Sequence, residues 1–169
     1  MARHLVVGNQ TLLSRELRMV LQDRAAAEEA ECHFHVVVPE TPVDHYHSPV
    51  RGPRYSFAPA DDDAPTMAQH RLEMAVEELS SLDAIVTGVV GDEKPLAAIH
   101  HAIGIDDYDE IIVSTFPEGV SRWLKTNLID RLAGEVNIPV THVVGTLDDR
   151  AEQRRRHEEL VRSLRDAED

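Results

Sequence analysis

Residues 109–144 read DEIIVSTFPEGVSRWLKTNLIDRLAGEVNIPVTHVV, and the succession of elements in this stretch decides the fold. Ile111, Ile112 and Val113 are apolar without alternation, as expected of a strand buried on both faces. Pro117 and Gly119 then mark a turn. One helix is expected over 118–136, with Val120, Trp123, Leu124, Leu128 and Leu132 on its inward stripe. The run IPVTHVVG at 138–145 is a last strand. Strand, helix and strand in this order make a crossover unit, so the two strands belong to a parallel sheet.

The same alternation extends upstream. HLVVG at 4–8 is a short apolar strand stopped by Gly8 and Asn9. In the helix behind it Leu13, Leu17, Val20, Leu21 and Arg24 share one face, and Ser14 or Thr11 caps the start by accepting from a free backbone N–H. FHVVVP at 34–39 is a second strand, ended by Pro39, which has no N–H for the ladder. Residues 40–65 carry Pro42, Pro49, Pro53, Pro59 and Pro65 with the acidic run Asp61, Asp62 and Asp63; they read as a long irregular excursion. A helix follows over 65–82, opened by Thr66 and Gln69 at capping-box spacing, with Leu72, Val76 and Leu79 inward. DAIVTGVVG at 83–91 is a strand, and KPLAAIHHAI at 94–103 a helix with Pro95 in its first turn. The whole predicts a Rossmann-like, doubly wound sandwich of five parallel strands over residues 1–147, with a polar charged tail or helix over 148–169. Ligands in such sheets sit at the carboxyl ends of the strands, near the point where the strand order reverses.

Composition bounds the function. The chain has 169 residues, 42% hydrophobic and 4% aromatic, with a formal charge of −14. That supports one domain and one core. No apolar run reaches the roughly 20 residues of a membrane span. No signal peptide is read at the start, so a cytoplasmic protein away from membranes is expected. The charge is uneven: residues 61–110 hold 2 basic and 13 acidic groups, whereas 111–169 hold 9 and 11. An acidic surface of this kind excludes general nucleic-acid binding, which needs cations for phosphate. It leaves room for one small anion near residues 114–127, where Arg122 and Lys125 face Glu118 alone.

The common catalytic signatures are missing. No P-loop, GxGxxG, GxSxG or HExxH pattern occurs. Cys32 is single, so it forms no internal disulfide and reads as a small buried hydrophobe. Ten histidines include the pairs His33/His35, His45/His47 and His100/His101. His33 and His35 fall on one face of a strand, but no Cys or carboxylate partner stands at ligand spacing, and no metal is expected. The best candidate site is the end of the 110–115 strand: the Ser114 and Thr115 hydroxyls, the turn, and a helix start that favours anions. With no paired carboxylates or positioned base, no catalytic residue is assigned.

Three segments resemble the universal stress protein family: HLVVGNQTLLSRELRMVL, VTGVVGDEKPLAAIHHAI and DEIIVSTFPEGVSRWLKTNLIDRLAGEVNIPVTHVV. The third is similar to a divergent actinobacterial branch with an STxPxGxSRWL segment. The resemblance implies an adenine-nucleotide cleft and a homodimer through the last strand, with Val140, Val143 and Val144 at the contact. Nucleotide-binding members carry Gly-x-x-Gly, nine residues, then Gly-Ser/Thr. Here Ser114 and Pro117 replace the first two glycines, Gly119 is retained, and Thr126-Asn127 stand at the final pair in a loop one residue shorter. Gly8 and Asn9 occupy the place of the family's acidic residue after the first strand, and Val37 that of an adenine contact. Pro117 removes a donor and Thr126 adds bulk where phosphate needs bare backbone, so no cofactor is expected and family-style ATP binding is disfavoured. The expectation is a non-catalytic regulatory or stress-response module, probed at Gly8, Asn9, Val37, Ser114, Thr115, Gly119, Arg122, Lys125, Thr126 and Asn127. Its alternative is a sensor of ATP, AMP or another small phosphorylated ligand at those residues.

Overall fold

The computed structural model describes residues 1–27, 31–40, 64–117 and 121–146, and beyond these residues 155, 159, 162, 163 and 166, which are helical and exposed. The 40–65 excursion beyond Glu40, His45/His47, Gly119, Val120 and the side chain of Arg122 lie outside the described residues. In chain order the elements are β1 (Ala2–Val7), α1 (Arg15–Ala27), β2 (Cys32–Pro39), α2 (Ala64–Leu79), β3 (Ile85–Gly91), α3 (Pro95–Ile105), β4 (Glu110–Thr115), α4 (Arg122–Lys125), α5 (Leu128–Glu135) and β5 (Val140–Val144). All five strands are parallel, in the order β3-β2-β1-β4-β5. The chain thus builds outward from β1 to β3, then crosses back to add β4 and β5. The doubly wound sheet expected from the alternating pattern is the fold observed.

The two faces of the sheet hold separate cores. Val6 pairs in register with Val36 and Ile112; these side chains, with Phe34, meet Leu17 and Leu21 of α1 and Ala68, Leu72, Ala75 and Leu79 of α2. On the other face Leu5, Val7, Val37, Ile111 and Val113 meet Ala98, Ile99 and Ala102 of α3, with Trp123, Leu128 and Leu132. Each fully buried Val, Leu or Ile contributes about 1.5–3 kcal/mol of transfer free energy, so the continuous apolar runs of β1, β2 and β4 are what hold the layers together. Cys32 is buried among them as expected.

Four local readings change in the structure. β3 is an edge strand, so its apolar run is buried on one side only: Ile85 and Val89 are 41% and 46% exposed, while Val86 and Val90 pack toward α2. A Cβ at Gly88 would run into Leu72 Cδ1 and stand 3.0 Å from the Val36 carbonyl oxygen, so bare backbone is what lets α2 lie close there. The helix expected over 118–136 is two helices, because Asn127 takes a left-handed conformation (φ 54°) between α4 and α5. Asn tolerates that region where most side chains do not. Third, α2 begins at Ala64, so Thr66 and Gln69 lie inside it; Gln69 donates to Glu73 rather than closing a capping box. Finally, the inward positions of α2 include Met67, Ala68 and Ala75, while Val76 is only partly buried. Ser14 does cap α1, accepting from the Leu17 N–H at 3.2 Å, and Pro95 opens α3.

Candidate functional site

The strand order reverses between β1 and β4, so the candidate site is the crevice at their carboxyl ends. Its floor is built from the turn after β1. The Gly8 N–H donates to the Val37 carbonyl at 3.3 Å, and a Cβ on Gly8 would sit 2.9 Å from Leu12 Cδ2 and 3.5 Å from Ser114 Cβ. Thr11 and Ser114 are both buried, and the Ser114 hydroxyl donates to Thr11 Oγ1 at 2.8 Å. A bond inside the protein therefore ties the turn to the end of β4.

Thr115 is committed in the same way. Its hydroxyl donates to the Phe116 carbonyl at 2.8 Å, which leaves the oxygen to accept from His142 Nε2 on β5, also at 2.8 Å. Burial lowers the pKa of His142, which favours the neutral ring. Val37 is 1% exposed, packed against the α3 side. The structure thus brings Gly8, Val37, Ser114 and Thr115 together and gives each an internal role.

The second half of the predicted loop differs more. α4 is a single turn of four residues, with Ser121 as its cap, accepting from the Leu124 N–H at 3.4 Å. So short a turn sums few peptide dipoles and does not provide the anion-favouring helix start expected there. Thr126 donates to the Trp123 carbonyl at 2.9 Å. Lys125, Thr126 and Asn127 are exposed. Gly119 and the Arg122 side chain lie outside the described residues.

Sequence reasoning missed Arg71. It projects from α2 to Asn9, donating from Nη1 to Asn9 Oδ1 at 2.8 Å, while the Asn9 amide donates to the Pro39 carbonyl at 2.9 Å. One side chain at the end of β1 thus couples the end of β2 to a guanidinium. Burial pushes the pKa of Arg71 down to about 10. A signal was present: Arg71 is one of two cations among residues 61–110 and adjoins Leu72 on the inward stripe.

The amino end of the sheet carries a second polar cluster. Glu110 accepts from Arg24 Nε and Nη2 at 2.8 and 2.9 Å, from Thr141 Oγ1, and pairs with His4 Nδ1 at 2.9 Å. It ties together β1, α1, β4 and β5 on the side away from the crevice.

β5 is the other edge of the sheet. Of the three valines expected at a dimer contact, Val143 is only 6% exposed and belongs to the chain's own core. Val140 is partly buried against the α3–α5 layer. Val144 is 42% exposed. The alternation of side chains along a strand explains the split: neighbours 143 and 144 point to opposite faces.

No protein-family model and no curated protein sequence matches this chain. Among solved structures it is similar to a universal stress protein from Archaeoglobus fulgidus, with a TM-score of 0.55 and 16% identity, over 85% of this chain and 93% of that one. The likeness is one of fold: a five-stranded parallel sheet between helix layers. Among the described residues no helix is long and apolar enough to cross a membrane.

Proposed function

We propose that this chain is a non-catalytic regulatory or stress-response module of the universal-stress-protein type, working as a cytoplasmic homodimer through the open edge of β5 and without family-style ATP binding. The observation that carries the reading is the Ser114–Thr11 hydrogen bond. Where a phosphate-binding loop needs bare backbone and free donors, this crevice has side chains bonded to each other. Thr115, held by Phe116 and His142, supports the same reading. For the dimer, the edge of β5, which pairs with no further strand among the described residues, and the exposed Val144 supply backbone groups and an apolar side chain to a second copy.

A second reading is favoured by Arg71. A guanidinium at the crevice, positioned by Asn9, suits one small phosphorylated or carboxylate ligand, which would make the module a sensor. Calorimetry with ATP, AMP and inorganic phosphate separates the two. Absence of heat with all three at millimolar concentration supports the first reading. Binding of ATP with unchanged affinity in Arg71→Gln would overturn both.

A further inference from the structure

On the open side of β3, away from the crevice, two imidazoles converge on one oxygen. His33 and His35 project from the same face of β2, and β2 pairs with β3 so that His33 stands opposite Ile85 and His35 opposite Thr87. His33 Nε2 and His35 Nδ1 are each 2.8 Å from Thr87 Oγ1. Because β3 is the sheet's edge, and Ile85, Thr87 and Val89 are exposed, the convergence point is open to solvent.

We infer that His33 and His35 form a two-imidazole chelate for a borderline-soft divalent cation of the Zn2+ type, with the Thr87 hydroxyl holding the two rings ready. Imidazole nitrogen is a preferred ligand of such ions, at about 2.0–2.1 Å. A hydroxyl has one proton, so Thr87 donates to one ring nitrogen and accepts from the N–H of the other. A cation needs the lone pair of both. The ring that carries its proton toward Thr87 therefore moves it to its other nitrogen; the imidazole stays neutral and no net proton is lost.

The surroundings fit that chemistry. Burial disfavours the charged form of both rings; the Arg3 guanidinium acts in the same direction on each, and His33 does so on His35. Asp106 and Glu31 act on His33, and Asp106 on His35, in the opposite sense. Asp106 is itself held by Arg3 at 3.0 Å. Tyr108 stacks on His35 with ring centroids 6.2 Å apart and an interplanar angle of 28°. Spacing in the sequence does not reveal this site, because the group that gathers the two rings comes from a strand more than fifty residues away.

The test is a Zn2+ titration of the full chain by calorimetry at neutral pH, in a background carrying His45→Gln and His47→Gln to remove the other histidine pair at the same spacing. One ion per chain is expected to bind. His33→Gln or His35→Gln is expected to weaken binding by about tenfold or more, and Thr87→His, which adds a third imidazole, to tighten it by a similar factor. As a readout independent of substitution, substoichiometric Cu2+ added to the native chain should broaden the NMR ring signals of His33 and His35 before those of the other histidines. No binding at millimolar Zn2+, affinity unchanged in both single variants, no gain in Thr87→His, or early broadening confined to other histidines each overturns the assignment.

Discussion

The Glu110 carboxylate and the Arg24 guanidinium meet fork to fork beneath the sheet, Nε to Oε2 at 2.8 Å and Nη2 to Oε1 at 2.9 Å. Glu110 opens β4, a central strand, and its side chain is 11% exposed. Arg24 is the last residue of the inward face of α1. Replacing Glu110 by Gln removes the negative charge and leaves Arg24 and His4 without their carboxylate partner. The expected loss is about 2–3 kcal/mol, below the ~3–5 of a fully buried pair because Arg24 remains 37% exposed. Urea unfolding of the two proteins at neutral pH checks it.

That loss should depend on pH. The hydrogen bond from Arg24, opposed by burial and reinforced by Thr141 and the charges of Arg24 and His4, holds the Glu110 carboxyl at about 2, against an ordinary 4.5. A carboxyl whose folded pKa is depressed stabilises the fold above its unfolded pKa and ceases to do so as pH falls through the folded value. The stability difference between wild type and Glu110→Gln should therefore be full above about pH 4.5 and shrink toward pH 2. A difference that stays constant from pH 6 to pH 2 would contradict the pairing.

His142 titrates in a higher window. Burial lowers its folded pKa below the ordinary 6.5. Below that pH the unfolded chain takes up a proton that the folded chain resists, so stability declines as pH drops from about 6.5. His142→Gln should flatten this decline between pH 6.5 and 5. His33 and His35, shifted in the same direction, leave part of the slope in place.

Ser114→Ala tests the closed crevice. It leaves the buried Thr11 hydroxyl without its donor, at an expected cost of about 1–3 kcal/mol, and it should not weaken any phosphate binding retained by the chain. A parallel loss of ligand affinity would place the Ser114 hydroxyl in the binding site after all. Thermal unfolding with and without millimolar phosphate reads both effects.

Gly88→Ala places a Cβ against Leu72 and the Val36 carbonyl oxygen. Leu72 is buried and the carbonyl belongs to a paired strand, so neither yields freely. Overpacking of this kind destabilises by about 1–3 kcal/mol, read as a lower urea midpoint. Gly104, with open space around it, is the contrasting site, where Ala should be neutral or stabilising because it favours a helix interior by about 1 kcal/mol.

The two edge valines of β5 separate folding from association. Val143→Asp puts a charge into the core and should unfold the chain. Val144→Asp changes an exposed position; on the proposed dimer it should leave the fold intact while shifting sedimentation to that of a monomer. An unchanged sedimentation coefficient for a folded Val144→Asp variant would remove β5 as the interface.

The strands and their crossover helices were legible because burial on both faces writes a continuous apolar run into β1, β2 and β4. The cap of α1 was legible for a local reason, since Ser14 bonds within three residues of itself, whereas the Thr66 and Gln69 spacing misled because α2 begins at Ala64. The inward placement of Arg24 was visible in the α1 pattern, but its partner, 86 residues away, was not. β3 reads as apolar in sequence, yet its edge position leaves Ile85 and Val89 in solvent. The break at Asn127 escaped the periodicity because the apolar spacing on either side of it still suits a single helix.

By itself, then, the sequence determined the class of the protein: parallel strands between two helix layers. Those properties follow from hydrophobic periodicity and local backbone chemistry, which act over a few residues. Only the tertiary structure decided which groups have chemistry left to offer. It bonded Ser114 to Thr11, set Arg71 against Asn9, buried Val143 while exposing Val144, and gathered His33 and His35 around Thr87. Those outcomes depend on strand order and register, which bring together residues separated by tens of positions and leave no periodic trace along the chain.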